Sequence, residues 1–362
     1  MYRSTDAGAT WSTKLLPLPT GFVSSESPKI DYIFPTSFVI AVHAFDANGL
    51  SGSVVSYTST DNGSSFGPPV IVNQGFGQFV NDDQVTVISD KAGSSPFFGN
   101  IYTAYTHDYN TQFRPGNTIF NNRSQDGGKT FSDQNLLSSV HEFEEFPGIA
   151  ITLNGILIVG WITQPPGITS LTTSTSQDGG KTFGSEAKVA SVVVPPSPLP
   201  GYQFRCLTYP SMAGDISNTP TTRGHVYAVW QDFRNGYSEI FLSISTNFGI
   251  DWGPAKPIVT SPVGSQNFFP AITVSPADGA VFVSYYTNRV NPPNIDVFLA
   301  TSRDGGQTFT NKRITTTSFS VAGIDVIGDY IGNAIVPQTG RLVTVWTDTR
   351  TGVQNIWFGD NQ

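Results

Sequence analysis

Six copies of one short pattern, Ser-x-Asp-x-Gly-x-x-aromatic, constrain the fold of this chain more than any other feature of its sequence. The copy at 124–131 reads SQDGGKTF and returns unchanged at 176–183. Successive copies are 55, 65, 52, 69 and 57 residues apart, a period typical of one supersecondary unit per repeat. We therefore expect six similar units in the chain. The third position of the pattern is occupied by Asp6, Asp61, Asp126, Asp178, Asn247 and Asp304.

Each copy predicts a tight turn at the tip of a β-hairpin. Its Ser and Asp side chains can accept hydrogen bonds from nearby backbone N–H groups, and Gly tolerates the positive φ that such a turn requires. The closing aromatic can bury its ring beneath the turn. An alternating run such as 295–301 precedes the turn and has the period of a half-buried strand. Asn247 keeps the acceptor oxygen without the charge, so we expect its turn to form as well.

The six copies resemble the Asp-box, also called the bacterial neuraminidase repeat or BNR. Their number and spacing resemble those of the six-bladed β-propeller of the sialidase (neuraminidase) superfamily. The resemblance covers the whole chain. It implies an all-β fold built from six antiparallel sheets. It also implies that the six Asp-box positions are structural, because in that family they lie on the rim, away from the active centre.

Six units of about 60 residues account for all 362 residues, so a single propeller domain is expected. The amino-terminal segment has a turn and the strand after it, and the carboxy-terminal segment has the strands before such a turn. We therefore expect the last blade to be closed by strands from both ends of the chain. A start inside one copy of the pattern suggests an upstream extension, and no signal peptide is recognised. The expected units are 20–75, 76–140, 141–195, 196–262, 263–320, and 321–362 together with 1–19.

The composition excludes several classes of function. Only 13% of residues are charged and the formal net charge is -8, which argues against binding to nucleic acid or to an anionic membrane. No run of 18 apolar residues occurs, so membrane insertion is not expected. The single cysteine, Cys206, is interpreted as a small apolar filler rather than a reactive thiol. The polar, lysine-poor composition favours a secreted or cell-surface location.

Strand direction predicts which face carries the function. In a four-stranded antiparallel blade, the loop between the first two strands and the Asp-box turn emerge on one face. The loop between the second and third strands and the connection to the next blade emerge on the other, where propeller ligands gather. The loops of this second face collect most of the notable carboxylates and arginines: Asp46, Asn81 to Asp83, His107, Asp108, Arg114, His141 to Glu145, Tyr202, Arg205, Tyr209, Asp232, Arg234, Arg289, Asp325, Asp329, Tyr330, Asp348 and Arg350.

One hypothesis for this face is a carboxylate-binding site, since a guanidinium fork suits planar oxyanions. Sialidases use an arginine triad for the substrate carboxylate, a tyrosine nucleophile assisted by a glutamate, and an aspartate acid/base. The resemblance therefore implies, by position, a triad of Arg234, Arg289 and Arg350 with Arg205 in reserve, the nucleophile Tyr330, its partner Glu144 or Glu145, and the acid Asp83.

The sequence departs from the sialidase pattern in one respect and leaves alternatives open. The Phe/Tyr-Arg-Ile-Pro motif that normally carries the first triad arginine has no match, since 113–115 reads Phe-Arg-Pro and lies late in the chain. The same Asp-x-Arg pair occurs in two different repeats, as Asp232/Arg234 and as Asp348/Arg350. Such recurrence is also expected of structural pairs that hold a loop in place. For Tyr330, a buried aromatic with a bonded hydroxyl is the favoured alternative to a nucleophile.

A second hypothesis is a metal site. The segments 81–83 and 142–145 contain the oxygen ligands that calcium prefers, although no EF-hand spacing occurs and solvated loop carboxylates are the alternative. No other cofactor is expected, because no glycine-rich phosphate loop occurs between a strand and a helix. The four histidines are far apart and form no zinc-like pattern: His43, His107, His141 and His225.

Three functions follow from this reading. The first is a secreted or surface sialidase-like propeller that binds glycans or an extracellular protein partner on its loop-rich face, with catalysis unproven. The second is an active retaining glycosidase, an exo-sialidase acting on sialic acid or another acidic sugar. The third is a structural module of a surface layer or appendage.

Overall fold

The computed structural model describes residues 1–33, 36–47, 49, 52–77, 79–111, 114–138, 143–164, 167–336 and 339–360. These residues contain 25 β-strands and no helix. The strands form six antiparallel sheets and one short two-stranded ribbon. The fold is therefore all-β and of the six-bladed β-propeller class, as the sequence predicts. In the described part of the chain there is no helix of the length and apolar character that a membrane span requires.

The strands belong to two compact units, 1–166 with 174–186 and 167–173 with 187–362. In the first unit, the ribbon consists of β1 (Tyr2–Arg3) and β2 (Ser12–Thr13). The first sheet consists of β3 (Phe22–Ile33), β4 (Ser37–Asp46), β5 (Gly52–Ser59) and β6 (Val70–Asn73). The second sheet consists of β7 (Val80–Ser89), β8 (Ile101–Thr111), β9 (Arg114–Ser124) and β10 (Asn135–Leu136).

The third sheet follows in chain order. It consists of β11 (Glu144–Ile151), β12 (Leu157–Thr163), β13 (Ser170–Ser176) and β14 (Ala187–Ser191). The boundary between the units falls within β13, after residue 173.

The second unit contains the remaining three sheets. The fourth consists of β15 (Ser211–Gly214), β16 (Val226–Asp232), β17 (Glu239–Ser245) and β18 (Lys256–Pro257). The fifth consists of β19 (Asn267–Val274), β20 (Val281–Thr287), β21 (Asp296–Ser302) and β22 (Thr310–Arg313). The sixth has three strands, β23 (Gly332–Ile335), β24 (Leu342–Asp348) and β25 (Asn355–Asp360).

The second strands of the third, fourth and fifth sheets read as nearly continuous apolar runs because both of their faces are covered. Every residue of β12, β16 and β20 is buried. In the first unit, Val39 and Val54 of the first sheet share a core with Tyr105 of the second. In the second unit, Val229 of the fourth sheet packs in one core with Tyr285 of the fifth. Sheets packed face to face in this way lie about 10 Å apart and exclude water from both surfaces of a middle strand.

The six repeated turns lie between the two strands of a hairpin and share one set of hydrogen bonds. In the copy after β21, Ser302 donates to Asp304 Oδ1 at 2.7 Å and receives the N–H of Gly306 at 2.8 Å. Gly306 has a φ of 83°, in the left-handed region that glycine adopts without strain. The copy with Asn247 has the same arrangement, with Ser245 donating to the amide oxygen at 3.0 Å. The amide therefore replaces the carboxylate as acceptor in this turn.

The amino-terminal segment differs from the expectation for the last blade. Met1 and Lys14 exchange backbone hydrogen bonds of 2.8 and 2.9 Å, and β1 pairs with β2. The side chains of Leu16 and Leu18 pack against the core of β4 and β5. Among the described residues, this segment pairs with itself, and the strand order of the sixth sheet does not include it as a fourth strand. The exact unit boundaries stay a prediction.

Candidate functional site

The first unit gathers carboxylates, amides and two histidines where β7 and β11 begin and β8 ends. Strand pairing places Asp82 opposite His107, and Asn81 opposite Asp108. A further pair comes from the first sheet, where Glu26 lies opposite His43. We call this set the polar cluster: Glu26, His43, Asn81, Asp82, Asp83, His107, Asp108, Asn117 and Glu145.

One part of the polar cluster is a buried contact between an imidazole and a carboxyl group. Nδ1 of His107 lies 2.5 Å from Asp82 Oδ1, and Asn73 donates to Asp82 Oδ2 at 2.5 Å. Asp82 has no exposed surface and His107 is buried against the rings of Tyr109 and Phe120. Burial of a carboxylate is tolerated when both of its oxygens have hydrogen-bond partners. These oxygens are occupied by protein groups, which disfavours the predicted use of Asp82 as a calcium ligand.

A second part joins the first and second sheets through His43. Its Nδ1 lies 3.3 Å from Glu26 Oε1 and 3.2 Å from Asp83 Oδ1. The His43 side chain is only 6% exposed, whereas Glu26 is 57% exposed. Burial lowers the pKa of His43, but the hydrogen bond and charge of Asp83, together with the charge of Glu26, outweigh burial and raise it.

The third part is a pair of half-buried carboxyl groups, Asp108 and Glu145. Burial, followed by the charge of Asp83, raises the pKa of Asp108 to about 6. Burial, followed by the charges of Asp108 and Asp83, raises the pKa of Glu145 to about 7. Asn117 donates to Glu145 Oε1 at 2.7 Å, which opposes this rise. Carboxyl groups with pKa values displaced toward neutrality are typical of functional sites.

The structure separates the two glutamates that the sequence left as alternatives. Glu144 is fully buried. Glu145 is half-buried, and burial together with the charges of Asp108 and Asp83 raises its pKa. Successive residues of a strand point to opposite faces of the sheet, and Glu145 is the one that interacts with the carboxyl groups of Asp108 and Asp83 in this cluster. Of the predicted catalytic residues, Asp83 and Glu145 are brought together in the first unit.

Two of the predicted substrate-binding arginines lie in matching Trp-x-Asp-x-Arg constellations. In the fourth sheet, Arg234 Nε donates to Asp232 Oδ1 at 2.9 Å and Trp230 Nε1 donates to Asp232 Oδ2 at 3.0 Å. The guanidinium group lies 4.3 Å from the centroid of the Phe241 ring.

The sixth sheet repeats this constellation. Arg350 Nε donates to Asp348 Oδ2 at 2.9 Å, and Trp346 Nε1 donates to the same oxygen at 3.1 Å. The guanidinium group lies 4.2 Å from the Trp357 ring. Both aspartates are fully buried, so each arginine neutralises a buried charge of its own sheet.

The other two arginines are also bonded within the second unit. Arg289 donates to the backbone oxygen of Thr260 at 2.7 Å and lies 4.4 Å from the centroid of the Phe298 ring. Arg205 Nε donates to Asp329 Oδ1 at 2.9 Å. Contacts of this kind support a structural interpretation of the predicted triad residues.

The predicted nucleophile, Tyr330, lies in the second unit between β22 and β23. It is half-buried and its ring centroid lies 4.7 Å from that of Tyr209. Its role as a nucleophile stays a prediction. His141 and Glu142, which belong to the predicted loop and metal candidates, lie outside the described residues.

Sequence reasoning missed Glu26 and Asn117 as members of the polar cluster. Glu26 reaches His43 because they are directly paired across β3 and β4, beside a register shift between Glu26 and Lys29. The cross-strand pairing is the only signal for this contact, and the position of such a bulge is not readable from apolar alternation.

Comparisons with known proteins find similar solved structures. Neither family models nor the sequences of curated proteins give a match to this chain. The leech intramolecular trans-sialidase complexed with 2,7-anhydro-Neu5Ac matches with a TM-score of 0.60 at 12% identity, over 95% of this chain and 68% of that chain. The intramolecular trans-sialidase from Ruminococcus gnavus matches with a TM-score of 0.58 at 12% identity, over 94% of each chain.

A third similar structure is the NanB sialidase from Streptococcus pneumoniae. It matches with a TM-score of 0.56 at 12% identity, over 95% of this chain and 70% of that chain. Similarity at this level of identity shows the fold. The chain therefore has the propeller fold that these sialidases have.

Proposed function

We propose that this protein binds glycans at the polar cluster of its first unit. The observation that carries the proposal is the convergence of two half-buried carboxyl groups, Asp108 and Glu145, with the amides of Asn81 and Asn117. Sugar hydroxyl groups both donate and accept hydrogen bonds, and carboxylates with amides supply the complementary acceptors and donors. The fold supports the proposal, since the similar structures are sialidases and one of them holds 2,7-anhydro-Neu5Ac.

The charge of the polar cluster favours neutral glycans over sialylated ones. Several carboxylates in one place repel the carboxylate of a sialic acid. The arginines that the resemblance assigns to such a carboxylate are engaged with groups of their own unit, as for Arg234 with Asp232 and Arg350 with Asp348. A neutral oligosaccharide therefore suits the site better than an acidic one.

The experiment is a glycan array followed by calorimetric titration with the neutral oligosaccharides that bind. We expect Glu145→Gln and Asp108→Asn each to weaken binding by at least about tenfold, the loss of roughly 1.4 kcal/mol. The matched controls are Glu186→Gln and Asp133→Asn, which change exposed carboxylates of the same unit. An array without a neutral-glycan hit, or full affinity in both cluster variants, would reject the proposal.

Glycoside hydrolysis is a second candidate function, favoured by one specific observation. Glu145 accepts a hydrogen bond from Asn117, and the charge of Asp108 contributes to its raised pKa. Glycoside hydrolases use such pairs of carboxyl groups. In this proposal Glu145 protonates the leaving oxygen, and Asp108 acts as the second carboxylate.

Chromogenic aryl glycosides, neutral and sialylated, test this candidate. We expect Glu145→Gln to lose turnover of a neutral glycoside while it still binds the product sugar. If a sialoside is cleaved and Tyr330→Phe abolishes that activity, the tyrosine mechanism of sialidases applies instead.

We also propose a secreted or cell-surface location. The proposal rests only on the polar composition of the chain, in which 13% of residues are charged. The test is immunodetection of the protein in the culture medium and in the surface and cytoplasmic fractions of the producing cells. Detection only in the cytoplasmic fraction would contradict it.

A further inference from the structure

We propose that Glu26, His43 and Asp83 form a binding site for a divalent transition-metal ion of the Zn²⁺ class. Nδ1 of His43 lies 3.3 Å from Glu26 Oε1 and 3.2 Å from Asp83 Oδ1. One ligand atom from each residue lies within 4.8 Å of the other two. The three residues are members of the polar cluster, but the metal proposal does not rest on glycan binding. It assigns Asp83 a role other than the acid that the sequence resemblance implies.

The distances around His43 fit two ligands of one metal ion, and they are longer than those of a single charge-assisted hydrogen bond. Nδ1 carries at most one hydrogen, so it can donate well to only one of two carboxylates. Charge-assisted N–H···O bonds are about 2.7–2.9 Å long, shorter than both of these separations. Two ligands of a tetrahedral zinc ion, each about 2.0–2.1 Å from the metal, are about 3.3–3.4 Å apart.

The same molecule contains the contrasting case. His107 faces Asp82 through the same ring nitrogen, and the two atoms are 2.5 Å apart. There, one imidazole meets one carboxylate and a single hydrogen bond forms. At His43, two carboxylate oxygens are held at nearly equal and longer distances from one nitrogen. The difference supports a shared cation between the three side chains.

The far side of the His43 ring supports this assignment. The side chain is more than nine-tenths buried, and within the described part of the chain its Nε2 has no hydrogen-bond partner. A Cβ on Gly52 would lie 2.3 Å from this Nε2 and 1.7 Å from Asn81 Oδ1, so the two atoms flank the same point. A metal-bound histidine typically donates its other N–H to an oxygen acceptor, and Asn81 Oδ1 can supply one after a small adjustment.

The ligand set also indicates the class of ion. One imidazole nitrogen and two carboxylates suit Zn²⁺, Mn²⁺, Co²⁺ or Ni²⁺, whereas Ca²⁺ and Mg²⁺ prefer oxygen ligands alone. Because Glu26 is 57% exposed, water can reach the site and complete the coordination. A bound ion would link β3 and β4 of the first sheet to β7 of the second.

The test is calorimetric titration of chelator-treated protein with ZnCl₂ and, separately, MnCl₂, with Co²⁺ absorption spectra as a second readout. We expect one ion per chain, and at least about tenfold weaker binding in His43→Gln and in Asp83→Asn. His225→Gln is the matched control, because this histidine lies in the second unit against Tyr227. Zn²⁺ should also raise the thermal unfolding midpoint of the wild type and of the control.

Circular dichroism in chelator checks that each variant folds. If His43→Gln does not fold, Glu26→Gln is used in its place, because Glu26 has an exposed side chain. No binding of any of these ions by the wild type would overturn the proposal and leave a simple ion pair. Undiminished affinity in both Asp83→Asn and Glu26→Gln would also overturn it, because the ion would then be bound elsewhere.

Discussion

Arg234 and Asp232 form a two-pronged ion pair in the fourth sheet, with Nε 2.9 Å from Oδ1 and Nη2 2.6 Å from Oδ2. Asp232 is fully buried and also accepts the indole N–H of Trp230 at 3.0 Å. Arg234 therefore compensates a carboxylate that has no access to water. This places the pair among the groups that hold the loop after β16 in position.

Removal of this arginine should lower stability and spare ligand binding. We expect Arg234→Ala to reduce the free energy of unfolding by about 3 kcal/mol, because it leaves the carboxylate of Asp232 buried without its cation. Arg303→Ala is the control, since Arg303 is 70% exposed and its pair with Asp278 contributes only about 0–1 kcal/mol. Urea unfolding measures both. A variant with unchanged stability and no affinity for any glycan would favour the triad hypothesis instead.

The carboxylates of the repeated turns should make stability fall in acid. Hydrogen bonds from the side chain and backbone of Ser65, and then from Ser59, lower the pKa of Asp61 from 3.8 to about 2. Since this pKa is depressed in the folded state, its stabilising contribution is complete above pH 3.8 and is lost as the pH falls toward 2. Thermal unfolding midpoints between pH 5 and pH 2 should therefore decline.

Asp61→Asn should make that decline shallower, as the neutral Asn247 already forms the same turn elsewhere in the chain. Asp133→Asn, which changes an exposed carboxylate outside the turns, should leave the slope unaltered. An identical slope in Asp61→Asn and the wild type would show that other groups govern acid unfolding.

Gly52→Ala should disturb the polar cluster without straining the backbone. The new Cβ would lie 1.7 Å from Asn81 Oδ1 and 2.3 Å from His43 Nε2, so at least one of these side chains must move. We expect a loss of about 1–3 kcal/mol in the free energy of unfolding, typical of overpacking, and weaker Zn²⁺ binding. Gly93→Ala is the control, because nothing lies within 4 Å of its Cβ position. Equal stability and equal Zn²⁺ affinity in both variants would contradict this geometry.

Local patterns predicted the sheets and turns well, because their signals lie within a few residues of each other. The Ser245 to Asn247 turn forms as expected from its acceptor oxygen alone. The pairs Asp232/Arg234 and Asp348/Arg350 were also recognisable as recurring, since each spans only two residues. The expected fourth strand of the sixth sheet failed because residues 1–3 pair with residues 12–14 instead.

The amino-acid sequence by itself determined the all-β class, the six sheets and the repeated turns, since alternation and side-chain-to-backbone bonding act over short distances along the chain. Only the tertiary structure decided that Glu26, His43 and Asp83 meet, and that the carboxyl groups of Glu145 and Asp108 lie close together. These contacts depend on strand register and on bulges such as those after Glu26 and Glu145. A shift of one residue sends a side chain to the opposite face, so packing of whole sheets, not local pattern, sets the chemistry of the site.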